Sequence, residues 1–171
     1  MKYARTAQSL LCFVIVIFVS PATGFVVGQH DSRKEATMTN HATGTFEIKM
    51  TPQDDKSADK ALGRMTIEKE WHGDLEGTSA GQMLTGGDIA KGSAGYVAIE
   101  KVSGTLNGRQ GTFMLQHSGT MTRGEGRLTI TVIPDSGTDQ LAGLTGQLSI
   151  RIESGKHFYD FDYSLAAKQA S

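Results

Sequence analysis

The stretch QGTFMLQHSGTMTRGEGRLTITVIP (residues 110–134) decides the fold. Phe113, Leu115 and His117 alternate with Thr112, Met114, Gln116 and Ser118. A glycine-bearing break, TRGEG (residues 122–126), interrupts the pattern, and alternation resumes through Leu128, Ile130 and Val132. Alternation with period two on both sides of a short glycine break predicts an antiparallel hairpin with one buried face. His117 is the polar exception on the apolar parity.

The same pattern extends outward in both directions. Phe46, Ile48 and Met50 form the inward parity of a first strand over residues 45–50. A charged connection, PQDDKSADK (residues 52–60), leads to a second strand over residues 63–72. There Met65, Ile67 and Trp71 share one parity, and Thr66, Glu68, Glu70 and His72 the other. Gly73-Asp74 turns into a third strand over residues 76–84, whose small residues leave its facing open. TGGDIAKGS (residues 85–93) is a turn region before a fourth strand over residues 95–106. Asn107-Gly108 is the strongest hairpin signal, because both positions accept positive φ and suit a type I′ turn. After the fifth and sixth strands, PDSGTDQLAG (residues 134–143) makes a wider turn. The seventh strand, residues 144–153, has Leu148, Ile150 and Ile152 inward. Ser154-Gly155 turns into the eighth, residues 157–165, where Tyr159, Phe161, Tyr163 and Leu165 share a parity.

Eight strands joined mostly by short turns, with no helical stretch, predict an all-β fold. An open sheet would leave two edges unprotected. A closed, eight-stranded antiparallel up-and-down β-barrel removes both and encloses room for one small ligand. A two-sheet sandwich is the alternative.

The chain of 171 residues, with 21 glycines against 3 prolines, fits one strand-rich domain plus a leader. Residues 1–22 follow the plan of a signal peptide: a basic start with Lys2 and Arg5, an apolar run LLCFVIVIFV, and small residues before a cut after Ala22. That arrangement predicts secretion or export to a periplasm. An uncleaved N-terminal membrane anchor is one alternative. Translation from Met38, giving a cytoplasmic protein, is another. Residues 23–40 have the composition of a flexible linker, 41–167 form the barrel domain, and 168–171 are a tail. The single cysteine, Cys12, lies in the leader, so the domain itself has no disulfide, thiol nucleophile or cysteine-ligated metal. Without residues 1–22, 15 bases face 18 acids, a net of −3, and nucleic acid is not an expected partner.

Several blocks carry a family resemblance. They are TGTFEIK (residues 43–49), WHGDLEGTSAGQML (71–84), KGSAGYVAIEKVSGTLNGRQGTFMLQHSGTM (91–121), VIPDSGTDQLAGLTG (132–146) and GKHFYDFDYSL (155–165). Together they resemble the bacterial domain-of-unknown-function family 3224, over essentially all of residues 40–166. The resemblance implies an allene oxide cyclase-like β-barrel and carries over no activity residue by residue. Proteins of this family usually begin near the position of Met38, so the leader is a departure from the pattern.

Polar residues on an inward parity are where chemistry would sit. Lys69 lies between Ile67 and Trp71, His117 follows Phe113 and Leu115, and Glu100 shares a parity with Tyr96 and Ala98. Val97 and Ile99 could claim the inside of that fourth strand instead. If both point inward, Lys69 and Glu100 would pair with each other or with a polar ligand, since a lone buried charge costs several kcal/mol. The plainer reading is a structural ion pair, or simple exposure at a barrel end. His117 has the chemistry of a general acid or base; its plainer reading is a hydrogen-bonded histidine in the wall. Trp71, Tyr96, Tyr159 and Tyr163 would line a pocket for an apolar or planar molecule, or else simply fill the core.

A metal site is not expected: His72 and His157 fall at opposite mouths, and no HxH or HExxH spacing occurs. No nucleophile elbow, phosphate loop or paired carboxylate is present either, and no cofactor is expected. The function classes that remain are a barrel binding a small apolar or aromatic molecule, and a cofactor-free cyclase or isomerase using Glu100 and His117. A third is a structural module whose outer face self-associates into a homo-oligomer.

Overall fold

The computed structural model describes residues 39–53 and 62–165. The leader, the linker before residue 39, most of the first charged connection and the tail lie outside the described residues. Eight strands close into an antiparallel up-and-down barrel in chain order. They are β1 (Asn40–Pro52), β2 (Leu62–Gly73), β3 (Leu75–Asp88), β4 (Ser93–Leu106), β5 (Arg109–Thr122), β6 (Glu125–Val132), β7 (Leu144–Glu153) and β8 (Lys156–Leu165). β1 pairs with β8, from Asn40↔Tyr163 to Phe46↔His157, and this closes the sheet. Neither a sandwich nor an open edge results.

Turn chemistry sets the register. Asn107-Gly108, Arg123-Gly124 and Ser154-Gly155 each have positive φ at both positions. Consecutive left-handed residues are the signature of type I′ turns, whose twist matches the flanking strands. The strands run longer than the pattern alone suggested. β1 begins at Asn40, and β3 continues to Asp88, so the turn after it shrinks to a short 3₁₀ element at Ile89–Lys91.

The two ends of the barrel differ. One is sealed by a core of Ala42, Trp71, Leu75, Val102, Leu106, Phe113, Leu144, Phe161 and Tyr163. The wide turn after β6 folds over this end through a 3₁₀ turn, Asp139–Leu141, and Leu141 is fully buried beneath it. Gly111 makes that approach possible: a Cβ there would sit 2.4 Å from the Thr138 carbonyl oxygen and 3.1 Å from the Leu141 side chain.

The other end is open. Met50 and Ile152 keep the inward parity but remain 51% and 63% exposed, and among the described residues no buried core cluster covers them. β6 contributes to this opening. It pairs with β5 from Leu115↔Val132 to Thr122↔Glu125, but with β7 only at Ile130↔Leu148 and Thr131↔Gln147. The tip of the β5–β6 hairpin therefore projects beyond the wall, which explains why Leu128 is exposed on an inward parity.

Candidate functional site

Facing on β3 and β4 is settled by burial. Glu100 is 0% exposed and points inward with Ala98 and Val102, whereas Val97 and Ile99 face solvent. Its cross-strand neighbours are Gly81 on β3 and Leu115 on β5. A Cβ on Gly81 would lie 2.9 Å from the Glu100 Cα, so the glycine permits this close packing.

Three predicted residues converge on one point. Lys69 Nζ donates to Glu100 Oε2 at 2.7 Å. His117 Nε2 lies 2.9 Å from the same oxygen. The ring nitrogen is out of line for a good hydrogen bond, and it has no aligned partner although His117 is only 4% exposed. Ser79, which sequence reasoning missed, donates its hydroxyl to Glu100 Oε1 and accepts from Trp71 Nε1 at 2.9 Å. The ammonium of Lys69 also lies 4.9 Å from the ring centroids of both Phe46 and Trp71, a cation–π arrangement in a desolvated setting.

Opposed effects act on these groups. Burial alone pushes the Glu100 carboxyl up; His117, the Lys69 ammonium and the Ser79 hydroxyl outweigh it and hold the group down at about 2. Burial lowers the Lys69 pKa, and the adjacent carboxylate resists that change. At 2.7 Å the two side chains form a salt bridge inside an apolar barrel. Both carboxylate oxygens are engaged. Lys69, with three N–H donors, gives one to Glu100 and meets no second acceptor among the described residues. The cluster is rich in spare donors.

Above the cluster the open end forms a cavity of about 270 Å³. Ile48, Met50, Ile67, Met83, Tyr96 and Ile150 supply much of its apolar wall, and Lys69 and His117 border it. Tyr96 is half-buried and lies against Gly119, where a Cβ would come within 2.3 Å of its ring. Burial, followed by the nearby Glu100 charge, raises the Tyr96 hydroxyl pKa.

Trp71, Tyr159 and Tyr163 belong to the core beneath the cavity instead of its wall. Tyr159 packs edge-on to Trp71 at 5.3 Å, and its hydroxyl accepts from the Leu75 N–H at 2.8 Å. The Tyr163 hydroxyl accepts from Asn107 Nδ2 at 3.0 Å. Their polar tips are used in holding the closed end.

A larger concavity, about 730 Å³, runs over the outer wall among Glu47, Lys49, Glu68, Glu70 and Lys101. Its lining of exposed charges marks a solvated surface. Among the described residues, Glu47, Glu70 and His72 bring three potential metal-ligating atoms together on that exterior. His72 Nε2 there already contacts Glu47 at 3.1 Å, an exposed pairing that raises the histidine's pKa.

A family model described as "Protein of unknown function (DUF3224)" matches residues 42–163. The chain belongs to that family. A crystal structure of a DUF3224 protein of unknown function from Shewanella oneidensis MR-1 is similar at 46% sequence identity and a TM-score of 0.71. The match covers 76% of this chain and 99% of that one. No curated protein matches. The DUF3224 match spans all eight strands, so the barrel and the Lys69–Glu100–His117 cluster lie within the family's domain.

Proposed function

We propose that this barrel binds a small, largely apolar molecule in its open end, oriented by one acceptor oxygen at the floor. The observation that carries the reading is the pairing of an apolar cavity of about 270 Å³ with a buried, donor-rich cluster at its base. Ligand sites combine apolar walls with a few convergent polar groups in this way. The Lys69 ammonium and His117 ring would meet the acceptor, while Ile67, Met83, Tyr96 and Ile150 would cover the apolar body. Trp71 is the chain's only tryptophan and hydrogen-bonds to Ser79 of the cluster, so its emission reports on occupancy. Titration with 1-anilinonaphthalene-8-sulfonate, an apolar probe with acceptor oxygens, tests the reading. One saturable site lost in a Met50→Glu/Ile152→Glu variant supports it; no binding, or binding indifferent to those changes, contradicts it.

A second reading is a cofactor-free cyclase or isomerase within an allene oxide cyclase-like barrel. Its support is that Glu100 and His117 sit together against the cavity, where shape and one or two polar groups could guide a reactive chain. Fold analogy adds little weight. A turnover unaltered by Glu100→Gln and His117→Ala would sink it. Self-association has its own support in Leu84, Val97 and Ile99, which are apolar and exposed on neighbouring strands β3 and β4. Sedimentation of a Val97→Ser/Ile99→Ser variant against the parent protein tests it. Export through residues 1–22 is part of the same proposal, and N-terminal sequencing of the natively expressed protein tests it.

A further inference from the structure

We propose that Lys69 is a covalent carbonyl-capturing residue, condensing with an apolar aldehyde or ketone in the cavity to form a Schiff base held by Glu100. The inference rests on the binding reading above and adds a bond to it.

Three features of the floor fit this chemistry. Lys69 is the cationic side chain bordering the apolar cavity, and its side chain is 97% removed from solvent, leaving 3% exposure. Lys49, Lys91, Lys101 and Lys156 are all exposed on the exterior. A lysine in an apolar surround gives up its proton more readily, and the free amine is the nucleophile; burial acts on Lys69 in that direction. Next, Glu100 Oε2 lies 2.7 Å from Nζ, where it would face an iminium N–H as it now faces the ammonium. Finally, His117 Nε2 stands 2.9 Å from that same oxygen, close enough to exchange a proton with it.

The charge balance favours the reaction at this position. The ammonium passes one proton to His117 by way of Glu100, and the amine lone pair forms a C–N bond to the carbonyl carbon. The carbonyl π pair moves to oxygen, which takes up a proton to give the carbinolamine. The nitrogen, four-bonded after the attack, gives up a proton by way of Glu100; that proton passes to the hydroxyl, which leaves as water while the regained nitrogen lone pair closes the C=N bond. Overall, R–NH₃⁺ and O=CHR′ become R–NH⁺=CHR′ and H₂O. One positive charge beside one carboxylate is replaced by another, so no unpaired charge is created in the barrel. No oxidant or reductant is required.

The test uses trans-cinnamaldehyde, with cinnamyl alcohol as the analogue that cannot condense. Binding of each is followed by Trp71 emission, and the aldehyde adduct is trapped with sodium cyanoborohydride and located by peptide mass mapping. The expected result is an adduct on Lys69 exceeding that on each exposed lysine by about tenfold. It should be lost in Lys69→Met/Glu100→Gln, a pair of changes that removes both buried charges together. Circular dichroism and thermal melting establish that this variant is folded. Binding of both probes without a Lys69 adduct overturns the covalent inference and leaves the binding reading standing. Adducts confined to exposed lysines overturn it too, and failure of both probes to bind removes both readings.

Discussion

Glu100→Gln isolates the element on which the site depends. The substitution keeps size and shape but removes the charge that compensates Lys69, whose ammonium lies 2.7 Å away and is buried. The Gln amide oxygen still accepts one hydrogen bond, yet its NH₂ now meets a Ser79 hydroxyl that already accepts from Trp71. Two routes give the magnitude. Breaking a buried ion pair by removing one partner costs about 3–5 kcal/mol. Independently, the Glu100 pKa falls from an ordinary 4.5 to about 2; at about 1.4 kcal/mol per tenfold change, this corresponds to about 3 kcal/mol. A carboxyl depressed in the folded state contributes stability that is complete above 4.5 and lost as pH falls through about 2. Urea unfolding followed by Trp71 fluorescence, at neutral pH and down through that window, measures both effects. Glu100→Gln should lose about 3 kcal/mol at neutral pH, and its stability should fall less steeply in acid than the parent's. A loss under about 1 kcal/mol, or acid limbs of equal slope, would refute the reasoning.

Other perturbations address the remaining parts of the account. Leu141→Ala empties a fully buried position under the closed end and should cost about 3 kcal/mol in urea unfolding, with probe binding at the opposite end retained. Gly119→Ala puts a methyl group within 2.3 Å of the Tyr96 ring, which should cost about 1–2 kcal/mol and, by displacing that ring, weaken binding of the anilinonaphthalene probe. Met50→Glu/Ile152→Glu changes two residues that are already exposed and should leave stability within about 1 kcal/mol while abolishing probe binding.

Much of this architecture is legible in the sequence because barrel geometry turns alternation directly into facing. The parity of Phe113, Leu115 and His117 puts His117 inside, and the Asn107-Gly108 dipeptide fixes the β4–β5 register. The facing of Glu100 is ambiguous in the sequence for a local reason: Val97 and Ile99 give β4 two apolar parities, and cross-strand register settles which is inside. Ser79 carries no signal of its own because β3 is rich in small residues, although it shares the parity of Leu75 and Met83. By sequence, Trp71, Tyr159 and Tyr163 suit a pocket wall and a core equally well. The distinction depends on which end is sealed, and the Leu141 plug arises from a 3₁₀ turn inside a segment whose composition indicates only a loop. The open end has no signal of its own, since Met50 and Ile152 follow the same alternation as their buried neighbours.

The central claim, a ligand cavity at the open end above Lys69, Glu100 and His117, is tested most directly by methyl NMR during titration with cinnamyl alcohol. The account predicts saturable shifts at the methyl groups of Met50, Ile67, Met83 and Ile150, which line the cavity, and none at Ile99 or Met114 on the outer wall. Shifts confined to Ile99 and Met114, or none at any cavity methyl at saturating probe, would contradict it.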